Sequence, residues 1–224
     1  MDPDPFQPDV LLTLADAGGG FGALQIVLLG VILGLMMCFD LGGPVNKVAY
    51  SFAVAGLGAA SLANQVPLEI MAAVMASGMV PPLGLALAST VLARKQFTPV
   101  ERENGVAAWL LGASFISEGA IPFAAADPLR VIPASMLGGA VTGALSMAFG
   151  VTSQAPHGGV FVLFAVGNIL WFLLSIAIGA VITAVAVIGL KRIGRRPSAA
   201  TVEAAGAADD TEASGVLASG AARA

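Results

Sequence analysis

Charge is scarce in this sequence. Only 11% of its 224 residues are Asp, Glu, Lys or Arg, while 57% are hydrophobic. Ordinary globular domains carry roughly 25% charged residues. The shortfall points away from a soluble domain and toward an integral membrane protein. Histidine and cysteine each occur once. That excludes a His/Cys metal cluster and a disulfide within one chain. Cys38 sits in an apolar run and reads as a buried small hydrophobe. The motifs of soluble enzymes are missing too. There is no Walker loop, no G-x-G-x-x-G between a strand and a helix, and no nucleophile elbow. No catalytic residue, metal, cofactor or nucleic-acid partner is expected.

Long apolar runs are what the chain has. Residues 21–39, 48–63, 67–93, 134–150 and 160–190 are candidate membrane crossings, and a crossing takes about 20 residues. The expected fold is an all-α, polytopic helical bundle in the lipid bilayer. Residues 1–20 read as a flexible lead-in, 21–190 as the membrane domain, and 191–224 as a basic stop with a disordered tail. Two consecutive prolines, Pro81 and Pro82, each remove a backbone donor, so the third run is expected to kink or split there.

The stretch Ser114 to Pro133 breaks the apolar pattern. It places Glu118, Asp127 and Arg130 among Gly119, Pro122, Pro128 and Pro133. A carboxylate at membrane depth is costly and usually faces a cavity or a partner. Irregular backbone survives at that depth only where protein or water covers it. Both features fit a re-entrant hairpin around Glu118. A surface loop with a solvated Glu is the plainer alternative. If 105–130 dips in and returns, Lys47, the 94–102 cluster, Arg130 and the 191–196 cluster all fall on one face. By the positive-inside rule that face is cytoplasmic, which places the C-terminus inside. A full crossing at 105–123 is the rival and would move the 191–196 cluster outside.

Four polar islands therefore stand among the runs: Asp40–Lys47, Glu118, Asp127–Arg130 and His157. Each lies beside Gly or Pro. The pattern suits a polyol, whose hydroxyls need convergent donors and acceptors. Other readings stay open. Asp40 and Lys47 suit interfacial charges, and Asn46 suits a helix cap. Asp127 and Arg130, three apart, suit a structural ion pair. His157 lies in a turn whose Gly and Pro shape the backbone in any case.

Four segments carry a family resemblance. LMMCFDLGGPVNKVAYSFA (35–53), SGMVPPLGLALA (77–88), FISEGAIPFAAADPLRVIPASMLGGAVTGALSMAFG (115–150) and APHGGVFVL (155–163) resemble the membrane-embedded IIC domain of fructose-family sugar phosphotransferase (PTS) permeases. The resemblance runs in order from about residue 22 to 190. It implies a multi-pass permease of the inner (plasma) membrane that binds fructose. A IIB partner, fed by IIA, phosphorylates the sugar from a phosphocysteine to fructose 1-phosphate. That cysteine would be the partner's and not Cys38. It also implies Glu118 as the glutamate of the sugar-binding hairpin, with His157, Asp40 and Asn46 as further pocket-side positions, and assembly as a homodimer. A family IIC domain has further spans before LMMCFDLGGPVNK. The expectation is thus the C-terminal part of such a domain, unable to transport without the missing spans. An ion-coupled secondary transporter and a non-functional remnant are the alternatives.

Overall fold

The computed structural model describes residues 22–61 and 64–193. The expected lead-in and most of the expected tail lie outside the described residues. Seven α-helices are described. Helix α1 is Ala23–Phe39, α2 is Pro44–Leu57 and α3 is Val66–Leu87, which runs on into one π-helical turn, Ala88–Leu92. Helix α4, Pro99–Ala113, opens with a reciprocal cap: the Thr98 hydroxyl accepts from the Glu101 amide, and the Glu101 carboxylate accepts from the Thr98 amide at 2.8 Å. A 3₁₀ turn, Ser117–Ala120, leads into the short α5, Ile121–Ala126, and then α6, Pro128–Ala148. A two-residue ribbon, β1 (Thr152–Ser153) with β2 (Val166–Gly167), encloses a 3₁₀ stretch, Gly159–Ala165, before α7, Ile169–Ile193. The chain divides into two compact units at Leu190. The packing below concerns the first.

Three of these helices are long and apolar enough to cross a membrane: Val66–Leu92, Pro128–Ala148 and Ile169–Ile193. The first has 27 residues, about 40 Å at 1.5 Å per residue, and exceeds a hydrocarbon core of about 30 Å. Of its most apolar window 83% is buried inside the protein, against 39% for α7. Helix α3 is therefore the central post and α7 an outer one. Two clusters of buried side chains mark the ends of the bundle. One joins Met71, Val151 and Phe172; the other joins Leu85, Ala88, Phe97, Phe123, Val131 and Val187. Helices α3 and α7 thus run one way and α6 the other.

Glycine sets the closest contacts. Gly30 and Gly34 of α1 face Gly143 and Gly139 of α6, and a Cβ on either α1 glycine would fall on the opposite glycine's carbonyl. This is the small-residue, four-apart seam by which helices approach in lipid, where burial of apolar surface gives no drive. On the other side of α6, the Thr142 hydroxyl bonds the carbonyls of Gly138 and, at 3.1 Å, Ser175 of α7.

The structure corrects three expectations. Pro81 and Pro82 do not break α3, which continues through both. The last span begins at Ile169 and not 160. The second run does not form a crossing: α2 has 14 residues, begins at Pro44 and returns to the end of the bundle where α3 starts, with Gly56 packed near Pro67. Because Cys38, at the end of α1, lies at Gly139 in the middle of α6, α1 and α2 form a hairpin whose apex is Asp40–Gly43.

Candidate functional site

Prolines 81 and 82 lack the amide hydrogens that would bond the carbonyls of Ser77 and Gly78, four residues back. Orphaned carbonyls inside a membrane protein need donors. Both receive one from another segment. The Cys38 thiol donates to the Ser77 carbonyl at 3.4 Å, and the Ser117 hydroxyl donates to the Gly78 carbonyl at 2.9 Å. The helix keeps its course because its lost bonds are replaced from outside. Gly78 lies roughly 18 Å into the Val66–Leu92 stretch at 1.5 Å per residue, close to its middle. Ser117 and its neighbour Glu118 are held at that depth.

The chain reaches this point by an unusual helix end. After Ala113, the amide of Phe115 bonds the Gly112 carbonyl and the amide of Ile116 bonds the Leu111 carbonyl. That is the Schellman arrangement, which normally puts glycine at the left-handed position. Here the position is Phe115, with φ 65°. A non-glycine there costs roughly 1 kcal/mol or more. In return the buried Phe115 ring lies over Gly78, where any Cβ would collide with it. The segment then turns back through α5, and Phe123 meets Phe97 with ring centroids 6.4 Å apart. Helix α4, the 3₁₀ turn and α5 thus enter from the Phe97 end, reach mid-depth at Ser117 and Glu118, and return.

Two other irregular segments meet this tip. The α1–α2 apex brings Gly42, with φ 104°, against Glu118: a Cβ there would stand 2.7 Å from the carboxylate oxygen. The loop inside the β1–β2 ribbon comes from the opposite end. A Cβ on its Gly159 would strike the Ala113 carbonyl and stand 2.9 Å from the Phe115 amide. His157 packs its ring 5.1 Å from Phe115 and 6.4 Å from Tyr50, and Tyr50 lies 6.1 Å from Phe115. Glu118 and His157 are exposed. Among the described residues none bonds the Glu118 carboxylate.

The remaining candidates are engaged. Both oxygens of Asp40 accept from the first turn of α2, from Val45 at 2.7 Å and Asn46 at 3.0 Å. They cap that helix across the turn. The buried Asn46 side chain donates to the Met37 carbonyl at 2.6 Å, fixing α1 to α2. Asp127 and Arg130 form an ion pair in the first turn of α6. Lys47 stands exposed in the first turn of α2, beside the mid-depth apex, and not on the face of the 94–102 cluster as expected. Sequence reasoning passed over Tyr50, Phe115, Ser117 and Gly42. Only Gly42 carried a signal, as half of a Gly-Gly pair inside the Asp40–Lys47 polar island.

Polar groups gathered at mid-depth, where several segments leave regular helix, are the architecture of membrane transport proteins. Comparison with known proteins makes the class specific. The chain is 57% identical over 165 residues to the "PTS system fructose-specific EIIB'BC component" of Vibrio cholerae, covering 72% of this chain and 27% of that protein. It is 53% identical over 164 residues to the "Fructose permease IIC component" of Bacillus amyloliquefaciens, covering 73% and 51%. It is 49% identical over 174 residues to the "PTS system fructose-specific EIIC component" of Haloferax volcanii, covering 78% and 44%. No family model matches, and no solved structure matches. The chain belongs with the fructose-family phosphotransferase permeases, in their membrane component IIC. It spans between about a quarter and a half of the length of these relatives.

Proposed function

We propose that this chain forms the sugar-binding part of a phosphotransferase permease and that fructose is its sugar. One observation carries the reading: Glu118 is an exposed carboxylate at mid-depth, unbonded by any described residue, where three irregular segments converge. A charge at that depth is costly unless it faces water or a polar ligand. In this reading the Glu118 carboxylate accepts from two sugar hydroxyls, and His157 offers a ring nitrogen to another. Asp40 and Asn46 act on the pocket side by holding Gly42 beside Glu118.

Several of the relatives carry IIB in the same polypeptide, as their names state. The proposed partner is accordingly a IIB domain, served by IIA, that transfers a phosphoryl group from its phosphocysteine to give fructose 1-phosphate. Buried Cys38, engaged with Ser77, has no part in that transfer. The permease works as a multi-pass homodimer of the plasma membrane, together with the remaining IIC spans. Arg94 and Lys95 follow the Val66–Leu92 stretch, and α7 carries Lys191 and Arg192 in its last turn. The positive-inside rule makes those termini cytoplasmic.

Uptake of labelled fructose by membrane vesicles tests the function. It should require IIB and a phosphoryl donor and yield fructose 1-phosphate. Uptake driven by a proton or sodium gradient with no donor would instead put the chain among ion-coupled transporters. Orientation has its own test: Thr98→Cys in a Cys38→Ala background should resist impermeant thiol reagents added outside intact cells.

A further inference from the structure

We infer that Ser117 and Pro82 are positioning residues for Glu118, acting through the Gly78 carbonyl; this rests on the sugar-site reading above. Pro82 has no amide hydrogen, so the Gly78 carbonyl has no donor within its own helix. The Ser117 hydroxyl fills that vacancy at 2.9 Å, from 39 residues away in sequence. Ser117 is buried, and Glu118 is the next residue in the same 3₁₀ turn. The bond fixes where this turn sits on α3. It therefore fixes the origin of the Glu118 side chain relative to Gly42, whose missing Cβ leaves the carboxylate its place.

Three neighbouring contacts make the attachment specific to this spot. The Phe115 ring covers Gly78. Gly119 is close to both Pro82 and Leu111, with an added Cβ falling 3.2 Å from the Pro82 side chain and 2.9 Å from that of Leu111. The second freed carbonyl, that of Ser77, is held by Cys38, two residues before the Asp40 cap. The proline pair thus presents two acceptors on α3. One anchors the tip carrying Glu118, and the other anchors the helix leading to Gly42. Ser117 touches no ligand in this proposal. It sets the geometry of the group that does.

Equilibrium binding of labelled fructose to the intact permease in native membranes is the test, with folded yield and thermal midpoint measured alongside. Ser117→Ala should weaken binding roughly 3- to 10-fold, the scale of one neutral hydrogen bond. Ser117→Thr, which keeps the hydroxyl, should recover most of the loss. In a Glu118→Gln background Ser117→Ala should add little, because the group it positions has already lost its charge. Pro82→Ala restores an in-helix donor for Gly78. It should weaken binding by a similar factor although it gives α3 back a bond. A purely structural Ser117 would instead act additively with Glu118→Gln, and that overturns the inference. So does parental affinity in both Ser117→Ala and Pro82→Ala while Glu118→Gln is impaired, a result that leaves the sugar-site reading standing. Parental affinity in Glu118→Gln itself removes that reading and the inference with it.

Discussion

The α1–α6 seam and the tip of the α4–α5 hairpin both bring segments into close contact, but by opposite means. In the seam, glycines at 30, 34, 139 and 143 strip away side chains, and the helices touch backbone to backbone. At the tip, prolines remove the internal bonds of α3, and the freed carbonyls of Ser77 and Gly78 draw Cys38 and Ser117 toward them. Polar groups are left over there, Glu118 among them. The first arrangement makes an inert frame. The second leaves an exposed carboxylate, that of Glu118, at mid-depth beside Gly42.

The largest effects should come from the frame. Gly34→Leu would drive a side chain into the Gly139 carbonyl of a neighbouring helix. Overpacking of adaptable cores costs about 1–3 kcal/mol, and here the obstacle is backbone, which cannot rotate away. Little folded protein should survive, as read by size-exclusion chromatography of detergent extracts. Gly189 in α7 sharpens the contrast, since an added Cβ there meets nothing within 4 Å. Gly189→Ala should leave yield unchanged or raise the thermal midpoint slightly, because alanine is the better helix former by up to about 1 kcal/mol. Equal damage from both substitutions would mean that glycine acts through something other than close approach.

At the tip the order of effects reverses: binding should suffer and folding should not. Glu118→Gln keeps the shape but loses the charge and one acceptor. Loss of one charge-assisted bond should weaken fructose binding by about 1.5–3 kcal/mol, or roughly 10- to 150-fold. Insertion and thermal midpoint should hold, because removing a charge at membrane depth lowers its cost. Parental affinity in a folded Glu118→Gln permease would end the assignment of Glu118 as a sugar ligand.

The two regions also differ in how far they could be read beforehand. The apolar runs and the polar break around Glu118 are local patterns, and both were legible. The continuity of α3 through Pro81 and Pro82 was not. It depends on donors from Cys38 and Ser117, each 39 residues away, and local propensity carries no record of such partners. The same holds for α2. Its composition suits a crossing, but its direction is set by the Asp40 cap and by Gly56 near Pro67. Asp40 and Asn46 stood out as polar residues, yet the bonds that engage them appear only once α1 and α2 are folded together. Phe115 and Tyr50 were hidden because aromatic residues in apolar runs are ordinary. Only the left-handed backbone of Phe115 and its place over Gly78 set it apart.

The smallest effect should come from Asp127, where the hairpin hands over to α6. Its ion pair with Arg130 spans one helical turn, with side chains 18% and 30% exposed respectively. Partly solvated pairs of this kind contribute about 0–1 kcal/mol, and Arg130 has other interactions as well. Asp127→Asn should therefore lower the thermal midpoint by no more than about 4 °C, and less at high salt, which screens exposed charge. Fructose affinity should stay within twofold of the parent, because the pair sits at the base of the hairpin, away from the tip. Asp127→Asn and Glu118→Gln then form a matched pair, each a carboxylate-to-amide change in the same 20-residue stretch. One should move stability slightly and affinity not at all, and the other the reverse. A fall in affinity with Asp127→Asn as large as with Glu118→Gln would show that base and tip act as one unit, and that the division between frame and site lies closer to α6 than the packing around Gly78 implies.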